Sequence, residues 1–415
     1  MKKRLVVCCD GTWKAESSDT VSNIVKIAQA VCLDGTGAAG EPVGQRVFYV
    51  SGPGAHGFAT DKILGGAFGY GLEANLSSAY WQLALNWQPG DDIYIFGFSR
   101  GAYTARSLAG MIDRLGILKP EAMIEKKIYC EALEIYRTPK PKPGDPEPDR
   151  AVRFRAEHCY PDSQRIHFLG VFDTVGAMGI PGISRKKHQF HDVHLASSVH
   201  CARQALSIDD RRRAFEPCLW TVPVELHKKY RRTDRVKQVW FEGRHSDVGG
   251  GLDSCVLSDL SLRWMVGEAH AEGLEFDPVR LRELLPPART PALRLELKTW
   301  PGVPYTILNC VRLLRHPRSK RFYWDAWRRL LEEGDQNSYL ASTVEVERHA
   351  NLRRWRDTLA DKQIPAGLIE QIPSGPLPER PPRTRPIFLP GPVTPLPDPV
   401  VTVLDTTEPD DETAA

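Results

Sequence analysis

The chain predicts an α/β fold, a mostly parallel sheet with helices on both faces, and three observations carry that expectation. Short β-branched and aromatic runs alternate with helical patterns through the first hundred residues. One of these runs, 92–96, passes through Gly97-Phe98-Ser99-Arg100-Gly101 directly into a stretch of helix formers. Two later apolar runs, 166–172 and 236–241, each end in a loop bearing chemically active side chains.

Taken in order, 4–9 reads as a buried strand, 23–31 as a helix, 46–50 as a strand and 73–86 as a helix with Leu, Ala, Tyr and Trp at helical spacing. The run 92–96 is the next strand, and 102–112 is a helix with small residues at 102, 105 and 109. Strand, G-x-S-x-G, helix is the setting of a nucleophile elbow, in which the glycines let the chain reverse and the serine projects above the sheet edge. The new helix begins there with backbone N–H groups that lack acceptors within the helix.

Beyond it the chain turns polar and proline-rich. Thr138-Pro139-Lys140-Pro141-Lys142-Pro143-Gly144-Asp145-Pro146 reads as surface loop within an insertion at about 137–162. A strand at 166–172 ends at Asp173, a helix is expected at 193–206, and a strand at 236–241 runs into Glu242-Gly243-Arg244-His245. A helix at 258–271 follows, capped by Ser258 or Asp259. These segments make 1–280 the expected catalytic domain. Residues 281–372 are expected to form a helical or irregular cover, and 373–415 a Pro-rich, acidic, extended or disordered tail.

Composition narrows the function. The 415 residues are 41% hydrophobic and 26% charged, with a net charge of +3, too little to argue for nucleic acid. Nine scattered cysteines with no C-x-x-C pair suggest neither a disulfide framework nor a zinc site. The apolar run 5–9 meets Asp10 too soon for a signal peptide, and no stretch approaches membrane-spanning length. The expected location is the cytoplasm, with any export by a signal-independent route. No metal and no cofactor is expected.

A serine hydroxyl is a weak nucleophile near neutral pH and needs a base, itself oriented by a carboxylate. In a parallel sheet both should lie at the carboxyl ends of other strands. Asp173 and His245 follow such strands, and the order Ser99, Asp173, His245 is that of the α/β-hydrolase architecture. Oxyanion donors are expected from the Arg100 amide and from Gly11 or Thr12, after the first strand. Asp247 is the rival acid, although capping the next turn suits it better, and Asp10 reads as shaping its own turn. His188, His191, His194 and His200 crowd one region without an acidic partner at ligand spacing.

Five ordered stretches resemble a known family: Cys8-Cys9-Asp10-Gly11-Thr12-Trp13, Gly97 to Gly101 with Ala102-Tyr103-Thr104-Ala105-Arg106, Gly170-Val171-Phe172-Asp173-Thr174-Val175-Gly176, Ser207-Ile208-Asp209-Asp210-Arg211-Arg212, and His245-Ser246-Asp247-Val248-Gly249-Gly250-Gly251. Together they resemble the DUF2235 family of α/β-hydrolases, which includes the first class of type VI secretion phospholipase effectors. The resemblance covers about residues 3–275. It implies Ser99 as nucleophile, Asp173 as acid, His245 as base, and hydrolysis of carboxylic esters of phospholipids or related lipids. It also implies an immunity or secretion partner. Aromatic and basic residues are mixed over 300–329, Trp300 to Arg329, which suits peripheral contact with an anionic membrane. The alternatives are an esterase or thioesterase for a small soluble substrate, and a non-catalytic module that recruits partners through its Pro-rich tail.

Overall fold

Strand β1 (Lys3–Cys9) is buried on both sides because it lies inside the sheet, between β3 (Pro42–Val50) and β4 (Asp92–Phe98), parallel to both. Among the described residues the sheet has nine strands. Its order is β2 (Asp34–Thr36), β3, β1, β4, β5 (Ile166–Phe172), β6 (Val199–Ser207), β7 (Val236–Phe241), β8 (Ser338–Ala341) and β9 (Ile369–Glu370). Every neighbouring pair is parallel except β2 with β3. The structure, a computed structural model, describes residues 2–11, 20–37, 39–52, 67–138, 150–161, 165–174, 195–212, 215, 217–220, 234–285, 331, 337–359 and 362–375.

Alternation along the strands builds a core on each face. Leu5, Val7 and Cys9 with Ile93, Ile95, Leu169 and Val171 face one side, beneath α2 (Ala67–Asn86), α3 (Arg100–Leu115), α5 (Lys126–Arg137) and α6 (Arg150–His158), where short α4 (Pro120–Ile124) adds Met123. Val6, Cys8, Phe96, Phe168 and Cys201 face the other, beneath α1 (Asn23–Ala30) and α8 (Val256–Ala271). Helix α1 presents Ile24, Ile27 and Ala30 at helical spacing and starts at Ser22, whose hydroxyl accepts from Val25 N. Burial pushes the Cys8 thiol up and Cys9 to about 12, so both stay protonated core groups.

Three expectations are corrected. The helix expected at 193–206 is replaced from Val199 by a strand, β6: Ala, Arg and Gln favour helices in isolation, but here they sit in the middle of the sheet. Arg203 is fully buried and ion-paired with Glu268, while Gln204 bonds the Cys218 carbonyl (3.3 Å). The helix expected at 258–271 starts at Val256, so Ser258 and Asp259 lie inside its first turn, with Asp259 paired to Lys26 (2.7 Å). The stretch 281–372 contributes β8 and β9 to the sheet, besides α9 (Pro278–Leu284) at its border and α10 (Ala350–Arg356). Lys237 on β7 holds Glu370 on β9 (2.6 Å). The stretches 139–149, 300–329 and 376–415 lie outside the described residues, as do Thr12, His188, His191 and His194.

Candidate active site

Strand β4 delivers Ser99 at a backbone φ of 56° and ψ of −118°, a conformation costing a non-glycine residue about 1–3 kcal/mol. Its neighbours leave no room for a side chain. A Cβ on Gly97 would sit 2.5 Å from the Gly101 carbonyl oxygen, and one on Gly101 only 2.1 Å from the Cys9 carbonyl oxygen. Both glycines are therefore required by close approach. Helix α3 opens at Arg100, with the Tyr103 amide donating to the Ser99 carbonyl (3.2 Å).

Ser99 Oγ lies 2.8 Å from His245 Nε2, and His245 Nδ1 lies 2.7 Å from Asp173 Oδ2. Three side chains from the ends of β4, β5 and β7 thus form one hydrogen-bonded chain. Asp173 is fully buried at a φ of 39°, and its carboxylate accepts from the Ser207 amide (3.0 Å) and the Ser207 hydroxyl (3.2 Å) at the end of β6. His245 stands in an apolar setting, with the Phe98 and Phe215 rings each 4.8 Å from its own. It was expected in a non-helical loop; instead it opens the short helix α7 (His245–Gly249). Asp247 caps that helix by accepting from Arg244 N (2.8 Å), and burial pushes its carboxyl up.

Gly11 requires a correction. Its N–H donates to Asp10 Oδ1 (2.6 Å) and is not directed to an oxyanion, even though a Cβ there would come within 3.4 Å of the Ser99 Cβ. Asp10 is fully buried, and its other oxygen takes the hydroxyls of Ser22 and Tyr49, each at 2.7 Å. Its carboxylate therefore fixes the backbone at Gly11.

Sequence reasoning gave Ser207, Asp209 and Phe215 no role; the signal for Ser207 and Asp209 was their place in the family-like stretch Ser207 to Arg212, and reading 193–206 as a helix hid the strand end that puts Ser207 beside Asp173. His200 lies at the opposite end of β6, 3.7 Å from Glu272. Among the described residues no three His, Cys, Asp or Glu groups could hold a metal ion, and no helix is long and apolar enough to cross a membrane.

A family model described as the catalytic domain of Tle1-like phospholipase effectors of the type VI secretion system matches residues 3–268. The uncharacterized protein YEL023C of Saccharomyces cerevisiae is 29% identical over 233 residues, covering 53% of this chain and 33% of that protein. Among solved structures, a Tle1 effector bound to the VgrG spike of a type VI secretion system is similar at 19% identity and a TM-score of 0.36, covering 61% of this chain and 51% of that one. An uncharacterized Pseudomonas aeruginosa protein is similar at 16% identity and a TM-score of 0.36, covering 80% and 57%. The chain thus spans a third of the yeast relative and about half of each solved chain.

Proposed function

This chain belongs to the Tle1-like phospholipase effector catalytic-domain family, and from that premise we propose that it hydrolyses carboxylic esters of phospholipids or related lipids with Ser99 as nucleophile. The observation that carries the reading is the chain of two short hydrogen bonds from Ser99 through His245 to Asp173. In that reading His245 Nε2 takes the hydroxyl proton as Ser99 Oγ attacks the ester carbonyl, and returns it to the leaving alcohol. Water, deprotonated by the same nitrogen, then attacks the acyl-enzyme carbonyl and releases the fatty acid and Ser99. Asp173 keeps the Nδ1 proton on the side away from Ser99 and balances the imidazolium.

The negative oxygen needs backbone donors in a dry site, each worth about 10²–10³ in turnover. The Arg100 amide, at the mouth of α3, is one. With the Gly11 amide engaged by Asp10, the second falls to Thr12. Membrane contact through 300–329 and delivery by a secretion partner belong to this proposal as well.

Release of fatty acid from phospholipid vesicles, run beside hydrolysis of a short nitrophenyl ester, tests the assignment. The expected result is activity on both, abolished by Ser99→Ala. Activity on the soluble ester alone assigns a small-molecule esterase; activity retained by the variant removes Ser99 from the chemistry.

A further inference from the structure

The stretch beyond the family match sends one imidazole beneath the loop that carries His245. His349, just before α10, is 0% exposed; its Nδ1 lies 2.8 Å from Asp209 Oδ1 and its Nε2 3.3 Å from Glu242 Oε1. Both carboxylates are buried. Asp209 also clamps the chain next to His245: its amide donates to the Gly243 carbonyl (3.0 Å), and its Oδ2 accepts from the Gly243 amide (2.8 Å). The adjacent Asp210 accepts from the His245 amide itself (3.3 Å). The two loops, after β6 and after β7, are thus laced together at the backbone of Gly243 and His245.

A neutral imidazole has one N–H and can donate to only one carboxylate, whereas an imidazolium donates from both nitrogens. Losing that charge would leave two buried carboxylates facing each other with one cation fewer between them. The other charged groups are arranged around this core. Arg348 reaches Glu242 (3.1 Å), Arg212 holds Asp210 (3.0 Å), and Arg244 pairs by backbone with the Asp247 carboxylate.

We propose that His349 is a positioning residue: a buried imidazolium that draws Asp209 and Glu242 together and so fixes the loop holding His245 against Ser99. The proposal rests on the assignment of Ser99 and His245 above. Burial works against the charge on His349, but the hydrogen bond to Asp209 and the negative charges of Asp209 and Glu242 outweigh it and hold its pKa up at about 9. Because this value is raised, the clamp is intact at neutral pH and is lost as pH climbs through about 9.

The test is kcat and KM for a soluble nitrophenyl ester from about pH 6 to 10 with the full chain, as wild type, His349→Gln, His349→Gln with Glu242→Gln, and Ser99→Ala. Wild-type kcat should decline at alkaline pH with an apparent pKa near 9. His349→Gln should cut neutral-pH kcat by about tenfold, leave KM within about twofold, and remove the alkaline limb. Adding Glu242→Gln, which removes one of the two carboxylates left facing each other, should restore at least about threefold. A wild-type kcat flat to about pH 10, or a folded His349→Gln variant with wild-type kcat and limb, overturns the proposal. If His349→Gln does not fold, the wild-type profile decides alone. Activity surviving Ser99→Ala is a different failure, that of the catalytic assignment itself.

Discussion

Ser207 grips Asp173 twice, through its amide to one carboxylate oxygen at 3.0 Å and through its hydroxyl to the other at 3.2 Å. The second oxygen is the one that faces His245 Nδ1. Ser207→Ala leaves the amide bond and deletes the hydroxyl, so Asp173 gains freedom to turn away from the imidazole. A single hydrogen bond of this kind is worth about 1 kcal/mol, which predicts a kcat lower by about fivefold at unchanged KM. Steady-state kinetics on a soluble ester read it directly.

Asp173→Asn keeps the shape of the site but places a neutral amide against Nδ1, which favours the wrong tautomer of His245. The expected loss in kcat is about 10³–10⁴, with the fold intact by circular dichroism. A loss of under tenfold would move the orienting role to another carboxylate.

Gly249 and Gly267 make a matched pair. A Cβ on Gly249 would lie 1.9 Å from Phe98 Cε2, on the ring that packs 4.8 Å from His245. Gly249→Ala should therefore cost about 1–3 kcal/mol and lower kcat as Phe98 is displaced. On α8, a Cβ on Gly267 meets nothing nearer than 3.4 Å, so Gly267→Ala should raise stability by about 0.5–1 kcal/mol. Thermal melts and kinetics of the two variants check both signs.

Glu268 sits between Arg203 and Lys237 and ties α8 to β6 and β7. Burial alone would raise its carboxyl pKa, but those two cations outweigh it and hold the pKa below the usual carboxylate range. A depressed pKa contributes stability that is present above the unfolded value and is lost as pH falls through the folded one. Glu268→Gln, which strands the buried Arg203, should cost about 3–5 kcal/mol near neutral pH. The melting curves of variant and wild type should converge in acid.

Much of the sheet was legible because its strands are apolar runs buried on both faces. Strands β5 and β7 lie within the bounds read from sequence, and Asp173 and His245 follow them as the parallel topology requires. Strand β6 was hidden by Ala202, Arg203 and Gln204, residues whose strand state depends on Glu268, Cys218 and the neighbouring strands. Strands β8 and β9 are four and two residues long, too short for a periodic signal, and owe their place to β7 and Lys237. Within the site, the wide sequence gaps between Ser99, Asp173 and His245 could be bridged by topology. The engagement of the Gly11 amide by Asp10 and the burial of His349 against Asp209 could not, because each depends on side-chain direction.

The most direct test is covalent. Treatment with a fluorophosphonate, followed by peptide mass spectrometry, should yield one adduct on Ser99, with labelling slowed by about 10³ or more in His245→Ala. An intact, folded chain that stays unlabelled, or that carries the adduct on another residue, would contradict the account.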